Sequence, residues 1–352
     1  MSWVPTSRVR QATMLFVGDD WYGSNATSLR DAFTDLGLEV LTVNTFSSRS
    51  GPSSIPKRLA RKIRPAAFSR RSTESVSEAV RAAVRAHGAF DYLFVFKGIH
   101  VSAAVVSEFR GLTVHYHPDD TANLANVSDI YSAAEPHYDT HVTTKLHNVG
   151  ELRARTKSDV IFVRCAYDPR WHFADKSAST LDRVGLVGTK RPDRIKFVGS
   201  VAAAASNADQ RMLIAGSGWS SEHHLGRIAE IVGPKFGAEF SLAVHSAPIQ
   251  LGVLNSANRD SHTCRSFEVP AAGGLFVGEW SAEHDSIFSE QGSALLYRTE
   301  EEAIDMIRFA LLNEEFSSRT RAKGLELITN GKNTYVDRAR EILSKISQRH
   351  QT

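Results

Sequence analysis

Apolar residues fall along this chain in short runs closed by glycine or polar turns, and between the runs they recur at helical spacing. Thr13 to Val17 is such a run, ending in Gly18-Asp19-Asp20 and the small-residue turn Gly23-Ser24-Asn25. Leu29, Ala32, Phe33 and Leu36 then share one face of a helix that Gly37 stops, and Leu38 to Val43 is the next strand. The alternation continues through a Val- and Ala-rich helix from Ser75 to His87, ended by Gly88. Strands follow at Tyr92–Phe96, Leu112–Tyr116, His141–Thr144 and Val160–Val163. Arg164 to Leu181 reads as a polar connector. A second alternation begins at Val184–Val187 and runs through Met212–Ala215, Ile249–Leu254, Leu275–Gly278 and Ala294–Tyr297. Thr299 with Glu302 makes a capping box, and helices near Glu315–Thr329 and Thr334–Gln348 close the chain. Strands alternating with helices predict an α/β fold with parallel sheets.

Such sheets bind ligands beyond the carboxyl ends of their strands. Asp19, Asp20, Lys97, His100, His117, Asp119 and Asp120 fall at such ends in the first half. In the second half Gly188-Thr189-Lys190-Arg191 and Gly216-Ser217-Gly218-Trp219 do so. A lone G-x-G is a weak signal, and the full dinucleotide fingerprint is absent, so NAD is not implied. Trp219 reads either as a stacking platform for a base or as a cap on the core.

The densest chemistry lies in Asp260-Ser-His-Thr-Cys-Arg-Ser-Phe-Glu268-Val-Pro-Ala-Ala-Gly-Gly274. It sets acids, a base and a glycine pair around a predicted helix. The N–H groups of His262, Thr263 and Cys264 fall at the helix start, where an anion is favoured, and Arg265 offers a cation. Two plain alternatives stand beside this: Thr263 as an N-cap, and Arg265 paired with Glu268 three residues on.

Bulk properties narrow the choices. The chain has 352 residues, 42% hydrophobic and 23% charged, which is globular composition sufficient for two domains. The net charge of +3 does not call for a nucleic-acid partner. The 2 cysteines make neither a disulfide framework nor a metal site, which fits a reducing cytoplasm. The Asp19-Asp20 and Asp119-Asp120 pairs lack supporting ligands at metal-binding spacing, so no metal is expected. No apolar stretch is long enough to span a membrane, and Met1 to Ala12 lacks the apolar run of a secretion signal. One segment departs from the background: Gly51 to Arg71 carries seven Lys and Arg residues and no acid. Ile55, Leu59 and Ile63 lie at helical spacing between them. The segment reads as a peripheral contact with an anionic membrane through 55–71, or as a solvated insertion.

Several segments, in order, carry a family resemblance: Phe94-Val-Phe-Lys-Gly98, Tyr116-His-Pro-Asp-Asp120, Thr143-Thr-Lys145, Ala166-Tyr-Asp-Pro169, Gly185-Leu-Val-Gly-Thr189, Ala215-Gly-Ser-Gly-Trp219, the 260–274 stretch and Asn333-Thr-Tyr-Val-Asp-Arg338. The chain resembles bacterial glycosyltransferases of the spore maturation protein CgeB-like group. That resemblance implies the GT-B fold, in which two facing Rossmann-like domains enclose a cleft. The expected domains are an acceptor domain over 1–165, a linker over 166–182, a nucleotide-sugar-binding domain over 183–332, and a C-terminal helix over 333–352 crossing back. Glu268 looks like the second acid of an E-x7-E pattern and would bind the donor ribose; Asp260 stands where the first acid would be, with a shorter side chain.

By the same resemblance the donor set is Gly188, Lys190, Arg194, Gly218, Trp219, His262, Thr263, Arg265, Glu268, Gly273 and Gly274. Asp20, His117, Asp119 and Asp120 are the catalytic candidates facing a saccharide or lipid-linked saccharide acceptor. A nucleotide-diphosphate sugar is the expected co-substrate, with no metal, retention of anomeric configuration favoured, and surface polysaccharide or glycoconjugate assembly as the pathway. The location would be cytoplasmic, with a possible place on the inner membrane face. Two other readings stay open: a sugar-nucleotide epimerase of the same fold, and a non-catalytic coat or scaffold protein.

Overall fold

The computed structural model describes residues 11–48, 65–175, 183–206, 211–288 and 292–349. Contacts divide the chain into two units. One comprises Met1–Trp21, Asn25–Val163 and Ala339–Thr352; the other comprises Tyr22–Ser24 and Arg164–Arg338.

The first unit is built on a six-stranded parallel sheet: β1 (Thr13–Gly18), β2 (Glu39–Asn44), β3 (Tyr92–Phe96), β4 (Leu112–His117), β5 (Thr140–Thr143) and β6 (Asp159–Phe162), in the order β2-β1-β3-β4-β5-β6. Successive residues of a strand face opposite sides, and both sides are covered. Leu15, Val17, Leu93 and Val95 pack on Val76 and Val80 of the helix Pro65–His87 and on Val105 and Val106 of the helix Ala103–Glu108. On the other side Phe16 stacks on Phe94, with ring centroids 5.5 Å apart, and Phe33 of the helix Asn25–Asp35 meets Phe94 edge-on at 4.9 Å. Burial of both faces is why these strands read as unbroken apolar runs.

The second unit carries β7 (Val184–Val187), β8 (Met212–Ala215), β9 (Ala229–Val232), β10 (Ile249–Gly252), β11 (Leu275–Glu279) and β12 (Leu295–Tyr297), also parallel, in the order β12-β11-β10-β7-β8-β9. Val184, Leu186, Met212 and Ile214 point to the helices Ile195–Ser206 and Glu300–Leu312. Val187, Leu213 and Ala215 point to Phe240 of the helix Ala238–Ser246 and Phe267 of the helix Arg265–Ala271. The strand order reverses between β7 and β10, and the space beyond their carboxyl ends is the usual ligand position of such a sheet.

Some boundaries differ from expectation. The edge strand β9 was not predicted, because Glu230 interrupts a run only four residues long. The helix expected from Ser75 begins at Pro65. Of the basic stretch 51–71, residues up to 64 lie outside the described residues, and of 65–71 only helical backbone is described. The connector differs too, since Arg164 to Asp175 belongs to the second unit, where Tyr167 bridges Thr334. The last helix, Tyr335–Arg349, is shared. In the second unit Arg338 Nε donates to the Arg164 carbonyl at 2.9 Å; in the first, Lys345 Nζ donates to the Phe162 carbonyl at 3.1 Å and Arg349 pairs with Asp159 at 2.6 Å. No helix among the described residues is long and apolar enough to cross a membrane.

Candidate functional site

The end of β7 is the centre of the second unit's polar residues. Gly188 N–H donates to the Ala215 carbonyl at 2.9 Å, carrying the β7–β8 pairing one residue past the strand. The next loop approaches so closely that a Cβ on Gly216 would lie 2.0 Å from the Gly188 carbonyl oxygen, so this position requires glycine. Trp219 is fully buried and its Nε1 donates to that same carbonyl at 2.7 Å. The stacking role is therefore set aside. The ring has no exposed face for a base; it belongs to the core and clamps the Gly188 turn.

Arg194 follows the turn and is only 9% exposed. Its Nη2 reaches the Val253 carbonyl at 3.4 Å, while its Nε is buried with no hydrogen-bond partner. Burial lowers its pKa, opposed by the neighbouring Asp193. A buried, incompletely paired guanidinium at a switch point is poised for an anion, since leaving such a donor unmet is costly. Lys190, expected to share that task, is instead committed. Its ammonium donates to Ser221 Oγ at 2.7 Å and to Glu222 at 2.8 Å, so its charge is already offset. Arg191 lies 3.6 Å from Asp193. Gly218 opens the following turn at φ 87, against the Lys190 side chain.

Arg265 joins this centre from the far side of the sheet. Its Nε donates to the Val187 carbonyl at 2.9 Å, its guanidinium lies over the Phe240 ring at 4.5 Å, and its Nη1 is bonded to Glu268. Glu268 is 2% exposed. On its other oxygen it faces His172 Nε2 at 3.6 Å. The Asp168 N–H donates to His172 Nδ1 at 3.0 Å, which places the imidazole proton on Nε2, towards the carboxylate. Burial lowers the His172 pKa despite the pull of Glu268.

The rest of the 260–274 stretch holds itself together. His262 is wholly buried, accepting the Cys165 N–H on Nε2 at 3.0 Å and meeting Glu283 through Nδ1 at 3.0 Å. It is a packing residue, not a phosphate contact. Thr263 N–H donates to Ser266 Oγ at 3.1 Å and Arg265 N–H to Thr263 Oγ1 at 3.2 Å. Of the three N–H groups expected at the helix start, that of Thr263 is therefore taken up within the turn that opens the seven-residue helix. Asp260 accepts the Asn255 N–H at 3.2 Å and shapes the loop after β10. Gly273, at φ 78, packs on Ala174, and a Cβ on Gly274 would lie 2.7 Å from Val244. The pair serves helix termination and close packing, which corrects the expectation of a ligand cradle.

Sequence reasoning missed Glu279, at the carboxyl end of β11. It accepts the Leu254 N–H at 3.3 Å, and burial raises its pKa against the influence of Arg194. Its place at a strand end was the available signal.

At the carboxyl edge of the first sheet, Lys97 ends β3 with φ 65, a left-handed conformation uncommon outside glycine. Its Nζ pairs with Asp119 at 2.7 Å. Burial works to raise the Asp119 pKa, but Lys97, His117 and Lys145 together outweigh it and the net shift is downward. His117 is buried, bonded through Nδ1 to the Asp119 backbone, and burial pushes its pKa down to about 4. Asp120 is 2% exposed and receives Ala122 N–H and Asn148 Nδ2, each at 2.9 Å. Asp20 is paired with Arg30 at 2.7 Å and accepts Thr27 Oγ1 at 3.1 Å, and Asp19 accepts Thr45 Oγ1 at 2.6 Å. His100 is half-buried beyond β3. Asp120 and Asp20 thus hold loops, and Asp119 is the catalytic candidate whose carboxylate stands beside a half-exposed cation. Among the described residues no cluster fit to hold a metal ion occurs.

A protein-family profile described as glycosyl transferase-like matches residues 194–344. No curated protein matches the chain by sequence. Among solved structures the chain resembles sucrose-phosphate synthase from Thermosynechococcus elongatus at 15% identity and TM-score 0.65, covering 97% of this chain and 100% of that one. It resembles Anabaena HepE in complex with UDP and glucose at 12% identity and TM-score 0.65, covering 96% and 100%. A putative UDP-N-acetylglucosamine 2-epimerase from Listeria monocytogenes follows at 12% identity and TM-score 0.60, covering 97% and 98%. What these proteins share with the chain is the GT-B fold.

Proposed function

We propose that the chain is a glycosyltransferase that takes a sugar from a nucleotide-diphosphate donor. The observation that carries this reading is Arg194, buried behind the Gly188 turn at the β7/β10 switch point with Nε unpaired. Glycosyl transfer leaves a nucleoside diphosphate, and a preset guanidinium stabilises the charge that grows on its phosphate without reorganising. Arg265 holds the Glu268 carboxylate at the same strand end, in place for the ribose hydroxyls. The glycosyl transferase-like match begins at Arg194. HepE, described with UDP and glucose, supports the donor class.

Asp119, steered by Lys97, is the group we place against the acceptor hydroxyl. The acids Asp260 and Glu268 favour retention, which the anomer of the product decides by NMR. The ordered motifs favour the CgeB-like group and a role in surface polysaccharide or glycoconjugate assembly in the cytoplasm, with a saccharide or lipid-linked saccharide as acceptor.

The test is a thermal-shift screen against UDP-, GDP-, dTDP- and CMP-sugars, in which a donor at a hundred times its Kd adds about 2.7 kcal/mol. A shift with one donor that is lost in Arg194→Ala is the expected result. No shift with any donor overturns the reading. Conversion of the donor sugar without an acceptor would point to an epimerase instead.

A further inference from the structure

A cavity of about 410 Å³ opens on the first unit, lined among others by Phe90 and Gly111. These residues immediately precede β3 and β4, so the cavity lies at the amino edge of the sheet, opposite the strand ends described above. Its volume is in the range of small-molecule sites. Val80, Val84 and Phe109 give it an apolar floor. Arg81, Glu108 and Arg110 stand around that floor. Arg81 reaches across to the neighbouring helix and grips Glu108 through Nε at 3.0 Å and Nη2 at 3.2 Å. Arg85, also on the rim, is offset by Glu78 at 2.5 Å. Arg110 is exposed and has no ion-pair partner among the described residues, so the rim carries an excess positive charge.

We propose that this groove binds a long-chain carboxylate, with its chain on Val80, Val84 and Phe109 and its head group between Arg110 and Arg81. An apolar floor with an excess of positive charge at its rim complements an amphiphile of opposite charge. The two-point grip of Arg81 on Glu108 is the geometry by which a guanidinium holds a planar carboxylate, and a ligand carboxylate can take the same place.

The test uses the 352-residue chain and calorimetric titration with octanoate, decanoate and dodecanoate below their micelle concentrations, with dodecanol as the neutral control. Affinity should rise about fourfold for each methylene added. Dodecanol should bind about tenfold more weakly, having lost the charge-assisted bonds. Val84→Trp should fill the groove and abolish binding, and Arg110→Glu should weaken dodecanoate about tenfold. Equal affinity for dodecanol and dodecanoate, or no binding of any chain, overturns the proposal. So does a Val84→Trp variant that melts like the parent and binds equally well. Should that variant not fold, unchanged affinity in Arg110→Glu, a substitution at an exposed position, overturns it as well.

Discussion

His115 and His141 are register partners on the adjacent parallel strands β4 and β5, and their rings meet Nδ1 to Nδ1 at 3.1 Å. The outer nitrogen of each ring faces a backbone carbonyl. His115 Nε2 lies 3.1 Å from the Lys97 oxygen and His141 Nε2 lies 3.0 Å from the Glu135 oxygen. Carbonyls only accept, so both Nε2 atoms carry protons, and two neutral rings then have none left for the Nδ1 contact. Filling all three contacts takes one further proton and a buried positive charge. Burial opposes this: it holds His141 at about 4 and His115 well below the usual histidine value, helped in His115 by the charge of the neighbouring rings.

Stability should therefore fall with acid from an unusually high pH. His117 and His284 are likewise pushed by burial to about 4. The unfolded chain protonates His117, His141 and His284 near pH 6.5, whereas the folded chain does so only near pH 4. The contribution of these three rings is complete above pH 6.5, is lost as pH falls towards 4, and is flat below. Each ring contributes a slope on the order of 1 kcal/mol per pH unit in that window. Urea unfolding at pH 7.5, 6.5, 5.5 and 4.5 checks this. A midpoint constant down to pH 5 would show that these rings are already charged in the folded state.

Arg265 and Glu268 should behave as one unit. Glu268 is almost wholly buried, and Arg265 is the cation bonded to it. Arg265→Ala strands that carboxylate and should cost about 2 kcal/mol, less than for a fully buried pair because the guanidinium is partly exposed. Adding Glu268→Gln should recover part of the loss, since the stranded charge is gone. A double variant whose loss equals the sum of the two singles would show that the pair is not coupled.

What was legible in the sequence follows from periodicity. The strands Thr13–Gly18, Tyr92–Phe96 and Val184–Val187 are apolar on both faces, and the pattern marks them directly. The pairing of Arg265 with Glu268, raised as the alternative to their donor-binding roles, needed only helical spacing. The His115–His141 contact was not legible, because it depends on which strands adjoin and in what register. For the same reason Lys190, Arg191 and Arg194 looked alike as a basic turn. Their difference lies in tertiary partners: Glu222 holds one, Asp193 lies near another, and the third is buried with the Val253 carbonyl in reach of its Nη2. At 260–274 the pattern offers Thr263 as an anion-facing donor, but the Ser266 hydroxyl accepts its N–H, a contact that spacing alone does not reveal.

Trp219 tests the clamp on the Gly188 turn. Trp219→Phe keeps an aromatic ring in the core but removes the Nε1 bond and leaves the Gly188 carbonyl short of a partner. The expected cost is about 1–2 kcal/mol. Donor affinity should fall with it, as the turn that positions Arg194 loosens. Donor affinity unchanged in a variant that is destabilised would separate the indole from the site.

Arg194 offers the sharpest separation of stability from function. In the free protein its guanidinium is buried, makes one long bond to the Val253 carbonyl and leaves Nε unmet. Arg194→Met keeps much of the apolar stem and removes the charge and the unmet donor. The free protein should become more stable, by about 1 kcal/mol, as replacement of ill-paired buried polar groups by apolar ones permits. Nucleotide binding should weaken at the same time by about 10- to 100-fold, the value of one or two charge-assisted bonds to phosphate. Arg194→Lys should recover little, because a single ammonium does not reproduce the fork of a guanidinium. Melting curves with and without nucleoside diphosphate read both effects in one experiment. A variant that loses stability and keeps nucleotide affinity would make Arg194 a structural residue and move the phosphate elsewhere.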